Sequence, residues 1–465
     1  MADDPTSFDV IVIGGGIAGL VAANRAAELG KRVVVLEKGT AEKYLCNSRY
    51  TYGTFHISLT DVMVGEDKLV AAIEACTEGF ARKDLARTVA QYGVRLMQWL
   101  RGEGIELVNL GQYHTNVLSP VWRSGAGFKW DGYAGDVTLR KLEANLTKRG
   151  GAILRGTRAS ALERAGADIE IHAAQAQGKV RFRAPAVVIA DGGFQANMEM
   201  VRQHISPAPE KLLPRNGGTA MGDGLRMAQA FGAATTGLPN FYGHLHSRDA
   251  MSNPLLWPRP QADDLAVAGI VIDGEGRRFA DEGYGGVYLS NAIARLADPL
   301  SATAIFDHAI WEGPGRNHAQ PPNPLLPDVG GTLHRADTIA MLAALIGIAP
   351  QRLQDVVDGY NAAIDAGTQA KLSPPRIGKA KPWPVRTAPF YAMPICAAIT
   401  NTMGGIVVNG DAAVLDTGGK PIPGLYAAGS TIGGLNGGPH AGYVGGLINA
   451  TIGLRAAETI ARFNA

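Results

Sequence analysis

The sequence predicts an α/β fold: a Rossmann-like nucleotide-binding domain interrupted by an inserted α+β lobe. Three observations carry this. A strand, a glycine turn, a helix and a second strand follow one another through residues 8–39. Strands running into glycines recur at 184–194 and 424–435. After about residue 235 the chain changes to proline-rich loops and mixed elements, and from about 386 the earlier style returns. The expected boundaries are 1–235 and 386–465 for the two parts of the nucleotide-binding domain, with 236–385 as a capping lobe between them. A chain of 465 residues is also longer than one core normally organises.

Each element has its own signature. In "FDVIVIGGGIAGLVAANRAAELGKRVVVLEKG" the apolar run Val10–Ile13 reads as a buried parallel strand. Ala18–Leu29 has helical character, and Val33–Leu36 is the next strand, closed by Glu37. Residues 64–150 are mostly helical by pattern. "APAVVIADGGF" (184–194) repeats the strand-into-glycine theme. In the inserted lobe, "AGIVIDGEGRRFADEG" suggests a strand pair, and helices are expected near 338–365. "NTMGGIVVNGDAAVLDTGGKPIPGLYAAGS" then restores the first style.

Composition narrows the function. With 44 basic and 42 acidic residues the net charge is +2, which offers no electrostatic case for nucleic acid or an anionic membrane. Cys46, Cys76 and Cys396 are widely spaced, so they form no disulfide framework, cluster motif or haem-attachment motif, and no metal site is expected. The start lacks the basic and apolar segments of a signal peptide. The longest helical apolar stretch, 339–349, is too short to span a bilayer. A cytoplasmic protein without a membrane span is expected. Its 60 glycines gather in short runs, as turns against a ligand would.

The clearest site is at the first glycine turn, where Gly14, Gly16 and Gly19 satisfy GxGxxG between a strand and a helix. Gly14 permits the tight turn, Gly16 lets the backbone approach a pyrophosphate, and Gly19 lets the helix pack on the sheet. The pyrophosphate then lies at the helix start, beside Ile17 and Ala18, and Glu37, followed by Lys38, receives the ribose. A second glycine-rich strand end at 424–435 suits a long, extended cofactor, and no second fingerprint for NAD(P) occurs. FAD is therefore expected.

Several segments, in order, carry a resemblance: "NSRYTYGTF", "VVIADGGF", "MGDGLRMAQAFGA", "RRFADEG", "NTMGG" and "GLYAAGS". Together they resemble the flavoprotein superfamily that includes fumarate reductase, 3-ketosteroid dehydrogenases and tricarballylate dehydrogenase. "GYVGGLINATIG" and "NSRYT" look most like the tricarballylate dehydrogenase branch. The resemblance implies FAD, a cap over it, and hydride exchange between a substrate carbon and flavin N5. It places Asn47, Ser48, Arg49 and Gly53 beside the flavin, with Asp191, Gly192, Asp223, Gly429, Gly446 and Leu447 as further cofactor contacts. Some relatives attach FAD through a histidine in the early segment. Residues 47–53 contain none and His56 is out of register, so non-covalent FAD is expected.

This chain departs from fumarate reductases at three positions. Their proton-donating arginine falls at Gly286, their substrate histidine at Asn401 and their second arginine at Tyr443. What replaces these groups is phenolic: Tyr284, Tyr288 and Tyr443, the last inside "HAGYVGGLINA" (440–450). That pattern resembles the ketosteroid dehydrogenases. It implies that Tyr443, with a backbone amide near Gly446–Leu447, polarises a substrate carbonyl while Tyr284 or Tyr288 removes the α-proton. His244, Arg248, Asn401, Thr402 and Gly446 are the expected substrate contacts. His246 and Glu282 read as structural, and Tyr113, His114 and Arg123 border the cleft without an assigned role. The expected activity is desaturation of a CH–CH bond beside the carbonyl or carboxyl group of a small organic acid or cyclic ketone. A steroid desaturase, a fumarate-reductase-like C=C reductase and a flavoprotein without turnover remain open. Electrons would leave to a separate quinone, electron-transfer protein or oxygen.

Overall fold

The structure, a computed structural model, describes residues 5–122, 127–317 and 320–463. Arg123 therefore lies outside the described residues. The first sheet grows around β1 (Val10–Ile13) and β2 (Val33–Glu37), joined by helix α1 (Ile17–Glu28). β1 and β2 are parallel, with Val10 opposite Val33 and Ile13 opposite Leu36. Every residue of both strands is buried. A strand covered on both faces reads as an unbroken apolar run, and this is how each appears in the sequence. Across the sheet the order is Ala413–Leu415, Pro421–Ala427, Ala186–Ile189, β1, β2 and Ala152–Arg155. All neighbours are parallel except the first pair. Two segments about 230 residues apart, 186–189 and 421–427, thus lie side by side, which closes the domain around the insertion. An antiparallel meander, Arg158–Ala165, Asp168–Gln175 and Gly178–Ala184, forms a separate small sheet for which the sequence reading has no counterpart.

The second lobe carries β3 (Phe241–Ser247), helix α2 (Gly286–Ala294) and β4 (Phe390–Thr402). β4 is the spine: it pairs with Leu213–Pro214, β3, Thr303–Asp307 and His334–Ala336. One of these partners, Leu213–Pro214, and β4 itself fall outside the span 236–385. The lobe's sheet therefore draws Leu213–Pro214 and β4 from the flanking segments, because strand pairing rather than chain order decides membership of a sheet.

The strand pair expected at 268–283 is not a regular hairpin. Ile270–Ile272 pairs with Thr303–Asp307, and only an isolated bridge joins Ile272 to Arg278. Arg278 turns inward instead, onto buried Glu282 at 2.6 Å, so the second limb is a turn anchored by an ion pair. That pair gives Glu282 the structural role the sequence suggests. Helices occupy Ile339–Leu345 and Pro350–Asp365 as expected. Among the described residues no helix is long and apolar enough to cross a membrane.

Candidate active site

One cavity of about 1740 Å³ runs from the glycine turn after β1 to the inner face of the second lobe. Sites for single drug-sized ligands are usually about 300–1,000 Å³. The volume leaves room for an extended dinucleotide and a small substrate.

At the first end the backbone does the shaping. Gly14 has φ +103°, and a Cβ there would come 2.6 Å from Asp191 Cα. A Cβ on Gly19 would overlap the Gly14 carbonyl oxygen, so the helix approaches the turn as closely as glycine allows. Gly16 differs. Its φ of −71° suits any residue, and the nearest atom to an added Cβ is Ser48 Oγ at 3.4 Å. Nothing in the polypeptide demands glycine at 16. The open space beside its backbone fits the expected pyrophosphate. Gly16 caps α1 without a side-chain hydrogen bond, and Ile17 N donates to Ser48 Oγ at 3.0 Å. Ala18, at the same helix start, lines the cavity.

Carboxylates complete this end. Glu37 Oε2 accepts from Gly15 N at 2.8 Å and Oε1 from Gly39 N at 2.7 Å, so Glu37 fixes the turn and keeps spare lone pairs for a ribose. Asp191 Oδ2 accepts from Gly224 N at 2.7 Å, while buried Oδ1 has no partner. Burial pushes this carboxyl up to about 6. Lys38 pairs with Asp223 at 3.2 Å, and both line the cavity with Gly53, Gly192, Gly429, Gly446 and Leu447. Asn47 bridges loops, donating to Thr400 O at 2.7 Å and accepting from Gly217 N at 2.9 Å. An orphaned carboxylate oxygen, an open glycine and a helix start lining the cavity together fit FAD.

Arg49 is a correction. It is buried in an ion pair with Asp136 and another with Glu143 at 3.2 Å, its Nε donates to Tyr44 O at 2.7 Å, and it does not line the cavity. Its segment borders the flavin end, but its charge is used to hold the helix Ala134–Lys148.

At the other end side chains do the shaping. The Tyr443 side chain is half-buried, with its oxygen against the Gly446 backbone amide and the Tyr242 hydroxyl. The two rings stack at 3.7 Å with 10° between planes. The Tyr242 hydroxyl meets His244 Nε2 at 2.7 Å, and His244 Nδ1 meets Asp263 Oδ1 at 3.3 Å. Asp263 Oδ2 also accepts from Leu245 N at 3.3 Å. Burial first, then Tyr242, raises the Tyr443 phenol well above 10, so it stays a proton donor. Burial holds His244 below its ordinary value, with Asp263 opposing, so it is neutral near pH 7. Tyr242 and Asp263 were missed in the sequence, although Tyr242 and His244 stand two apart on β3 and so share a face.

The remaining expected residues divide. Asn401 lines the cavity. Thr402 does not: its Oγ1 accepts from Phe194 N at 3.3 Å, turned toward the first domain. Arg248 is also outside, donating from Nη1 to Leu300 O at 2.9 Å on the lobe's surface. His246 is buried behind the wall with Nδ1 3.3 Å from Leu256 O. Tyr284 lines the cavity, but its ring stacks on His440 at 3.5 Å, and His440 is paired with Glu78 at 2.6 Å. Tyr288 does not line the cavity; its hydroxyl faces the Asp281 backbone. Neither phenol has a ring contact with Tyr443 among the described residues. Gly286, where the resemblance locates a proton-donating arginine, lies against Asp263 so closely that a Cβ would overlap Oδ1.

Residues 9–442 match the family described as FAD binding domain. A vinyl phenol reductase of Lactiplantibacillus plantarum is 27% identical, with 93% of this chain and 91% of that protein covered. A 4-oxocyclohexanecarboxylate 2-dehydrogenase of Sinomonas cyclohexanicum is 25% identical over 91% of this chain and 88% of its own. Among solved structures, a 3-ketosteroid-Δ4-(5α)-dehydrogenase from Rhodococcus jostii RHA1 superposes with a TM-score of 0.71 at 21% identity, covering 99% of this chain and 98% of that one.

Proposed function

The chain belongs to the FAD binding domain family, and from that membership we propose a dehydrogenase that desaturates a CH–CH bond beside the carbonyl or carboxyl group of a small organic acid or cyclic ketone. It is an FAD-dependent oxidoreductase acting on CH–CH bonds. The finer reading rests on one observation: a half-buried phenol, Tyr443, held by the Gly446 amide and continued by Tyr242, His244 and Asp263 in the same cavity as the glycine turn.

Bound FAD supplies the two-electron acceptor for the hydride leaving the β-carbon. Gly16, the start of α1, Glu37, Asp191 and Ser48 hold it without a covalent link, since the aligned segment offers no histidine. Tyr443 donates to the substrate carbonyl and stabilises the enolate that forms when the α-proton leaves. Tyr242 takes that proton while passing its own to His244 Nε2, and Asp263 orients the imidazole through Nδ1. A phenol with an ordinary value near 10 is a weak base alone, and a neutral histidine behind it overcomes this. Tyr284 and Tyr288 have no part in this chain of groups. A fumarate-type arginine has no space at Gly286 while Asp263 is in place. The likeness of "GYVGGLINATIG" to the tricarballylate dehydrogenase branch supports an acid as substrate, and electrons pass on to a separate quinone, electron-transfer protein or oxygen.

Anaerobic addition of saturated cyclic ketones and oxo acids to the flavin-loaded protein tests this. At least one should bleach the flavin and yield the unsaturated product. If none bleaches it, yet unsaturated partners reoxidise the photoreduced protein, the enzyme is a C=C reductase.

A further inference from the structure

We propose that the substrate end of the cavity receives a ring-bearing carboxylate, with the carboxylate between Arg215 and Arg259 and the ring against a wall of aromatic side chains. This rests on the dehydrogenase reading of the cavity and narrows its substrate class to cyclic or aromatic acids.

The starting observation is a pair of cations without anions. Buried arginines elsewhere are matched: Arg49 with Asp136, Arg278 with Glu282, Arg376 with Asp281. Arg215 and Arg259 both line the cavity, and neither has a carboxylate within ion-pairing distance among the described residues. Arg215 Nη1 donates to Thr400 Oγ1 at 3.0 Å, and its buried Nε has no partner. The Arg259 guanidinium lies over the Tyr52 ring at 5.1 Å. Asp263 is the nearby acid, but its oxygens go to His244 and Leu245 N. Burial, with Arg259 adding to it, holds Arg215 below its ordinary value, which marks an environment short of negative charge. Two half-buried guanidiniums close together repel each other, and a carboxylate fitting their forks relieves this.

Two more polar side chains stand in the same wall. Trp257 Nε1 is buried without a partner, the Tyr52 hydroxyl has Arg259 beside it, and both residues line the cavity. Orphaned buried polar groups are rare in native proteins. Two of them, on Arg215 and Trp257, stand in the wall of the cavity beside Arg259, where an acceptor-rich ligand group fits. Around them the rings are stacked: Tyr50 on Phe128 at 4.9 Å, Tyr52 on Trp122 at 5.6 Å, and Trp257 edge-on to Phe128 at 4.5 Å. A two- or four-carbon acid has no use for such walls, whereas a six-membered ring offers them a face. Tyr242 links the two halves, since it stacks on Tyr443 and its phenol lies in the field of Arg215. A carboxylate at Arg215 therefore presents the ring to the Tyr443–Tyr242 pair.

The test is calorimetric titration of the flavin-loaded protein with non-reactive probes, which needs no turnover. Cyclohexanecarboxylate should bind, and cyclohexanecarboxamide, matched in shape without charge, should bind at least about 30-fold more weakly, as expected for leaving a half-buried charge unpaired. Acetate should also be weaker than the ring acid by about 10-fold or more, the cost of forgoing burial of several methylenes. Arg215→Met and Arg259→Gln should each remove most of the preference for acid over amide. Arg215→Lys should keep part of it, and flavin content reports folding in every variant. Equal binding of acid and amide by the unmodified protein overturns the carboxylate assignment, as does an unchanged preference in both arginine variants. Equal binding of acetate and the ring acid overturns the aromatic half. A protein that binds the ring acid as described but is bleached by no oxo acid keeps this assignment and loses the dehydrogenase reading.

Discussion

The two ends of the cavity are made in different ways. At the glycine turn, recognition is written in the backbone over a short stretch: three glycines, a helix start and Glu37 lie within 24 residues. At the far end it is written in side chains from Tyr52, Arg215, Tyr242, Arg259 and Tyr443, which only the fold brings together. A backbone site tolerates change around it but not at its glycines. A side-chain site can lose one group and still hold its shape. The end that fixes the cofactor is therefore the more local in sequence, and the end that fixes the substrate is the more free to change.

The largest expected effect separates two glycines of the same turn. Gly16→Val should give a folded protein without flavin, because the added atoms enter only the space of the ligand. Gly19→Val should instead lower the melting temperature of the protein with or without flavin, since overpacking of this kind costs about 1–3 kcal/mol or more. Flavin content and thermal melts of the two variants decide it. If Gly16→Val retains full flavin, the pyrophosphate lies elsewhere.

Next, Tyr443→Phe should keep its flavin but slow anaerobic flavin reduction by about 10²-fold or more, the usual cost of one lost oxyanion donor. Near-normal rates in stopped flow would remove the enolate role and leave the arginines as the activating groups.

His244→Gln should slow reduction by about 10²-fold, within the usual range for a lost general base. pH gives a sharper reading. Burial lowers His244, so in the native enzyme its neutral form persists below 6.5, the ordinary histidine value. The acid limb of the rate profile should therefore fall below pH 6.5 and disappear in the variant. Stability follows the same sign. His56, held down to about 4, and His246, held down to about 3, bind protons less readily folded than unfolded. Their contribution is complete above about pH 6.5 and is lost as pH falls toward 4.

The smallest effects belong to the phenols of the second lobe. Tyr284→Phe should change flavin reduction by less than about 3-fold, and Tyr288→Phe should leave it unchanged, since neither meets Tyr443. A loss near 10²-fold in Tyr284→Phe, of the size assigned to His244 as general base, would restore it as the base.

How much was legible follows the same division. β1, α1 and β2 were readable because a buried parallel strand and a glycine turn leave continuous local patterns. The register of Tyr443 in the superfamily points to the cavity, and the residue lines it. Arg49 was misplaced because sequence position gave its neighbourhood but not its direction, and Asp136, 87 residues on, decides that. Thr402 and Arg248 were misplaced likewise, one turned to Phe194 and the other to the outer surface. Arg215, Arg259 and Asp263 carry no local signal at all. Their meaning is a missing or a chosen partner, which exists only once the chain is folded.

The contact between Gly286 and Asp263 also has an evolutionary consequence. A single mutation to arginine at 286 would have to displace a carboxylate that His244 and Leu245 N hold in place, and so would dismantle the tyrosine–histidine chain before any new chemistry was available. On the proposed mechanism, a side chain at 286 is compatible with this site only where Asp263 is moved or replaced, so the two positions constrain each other.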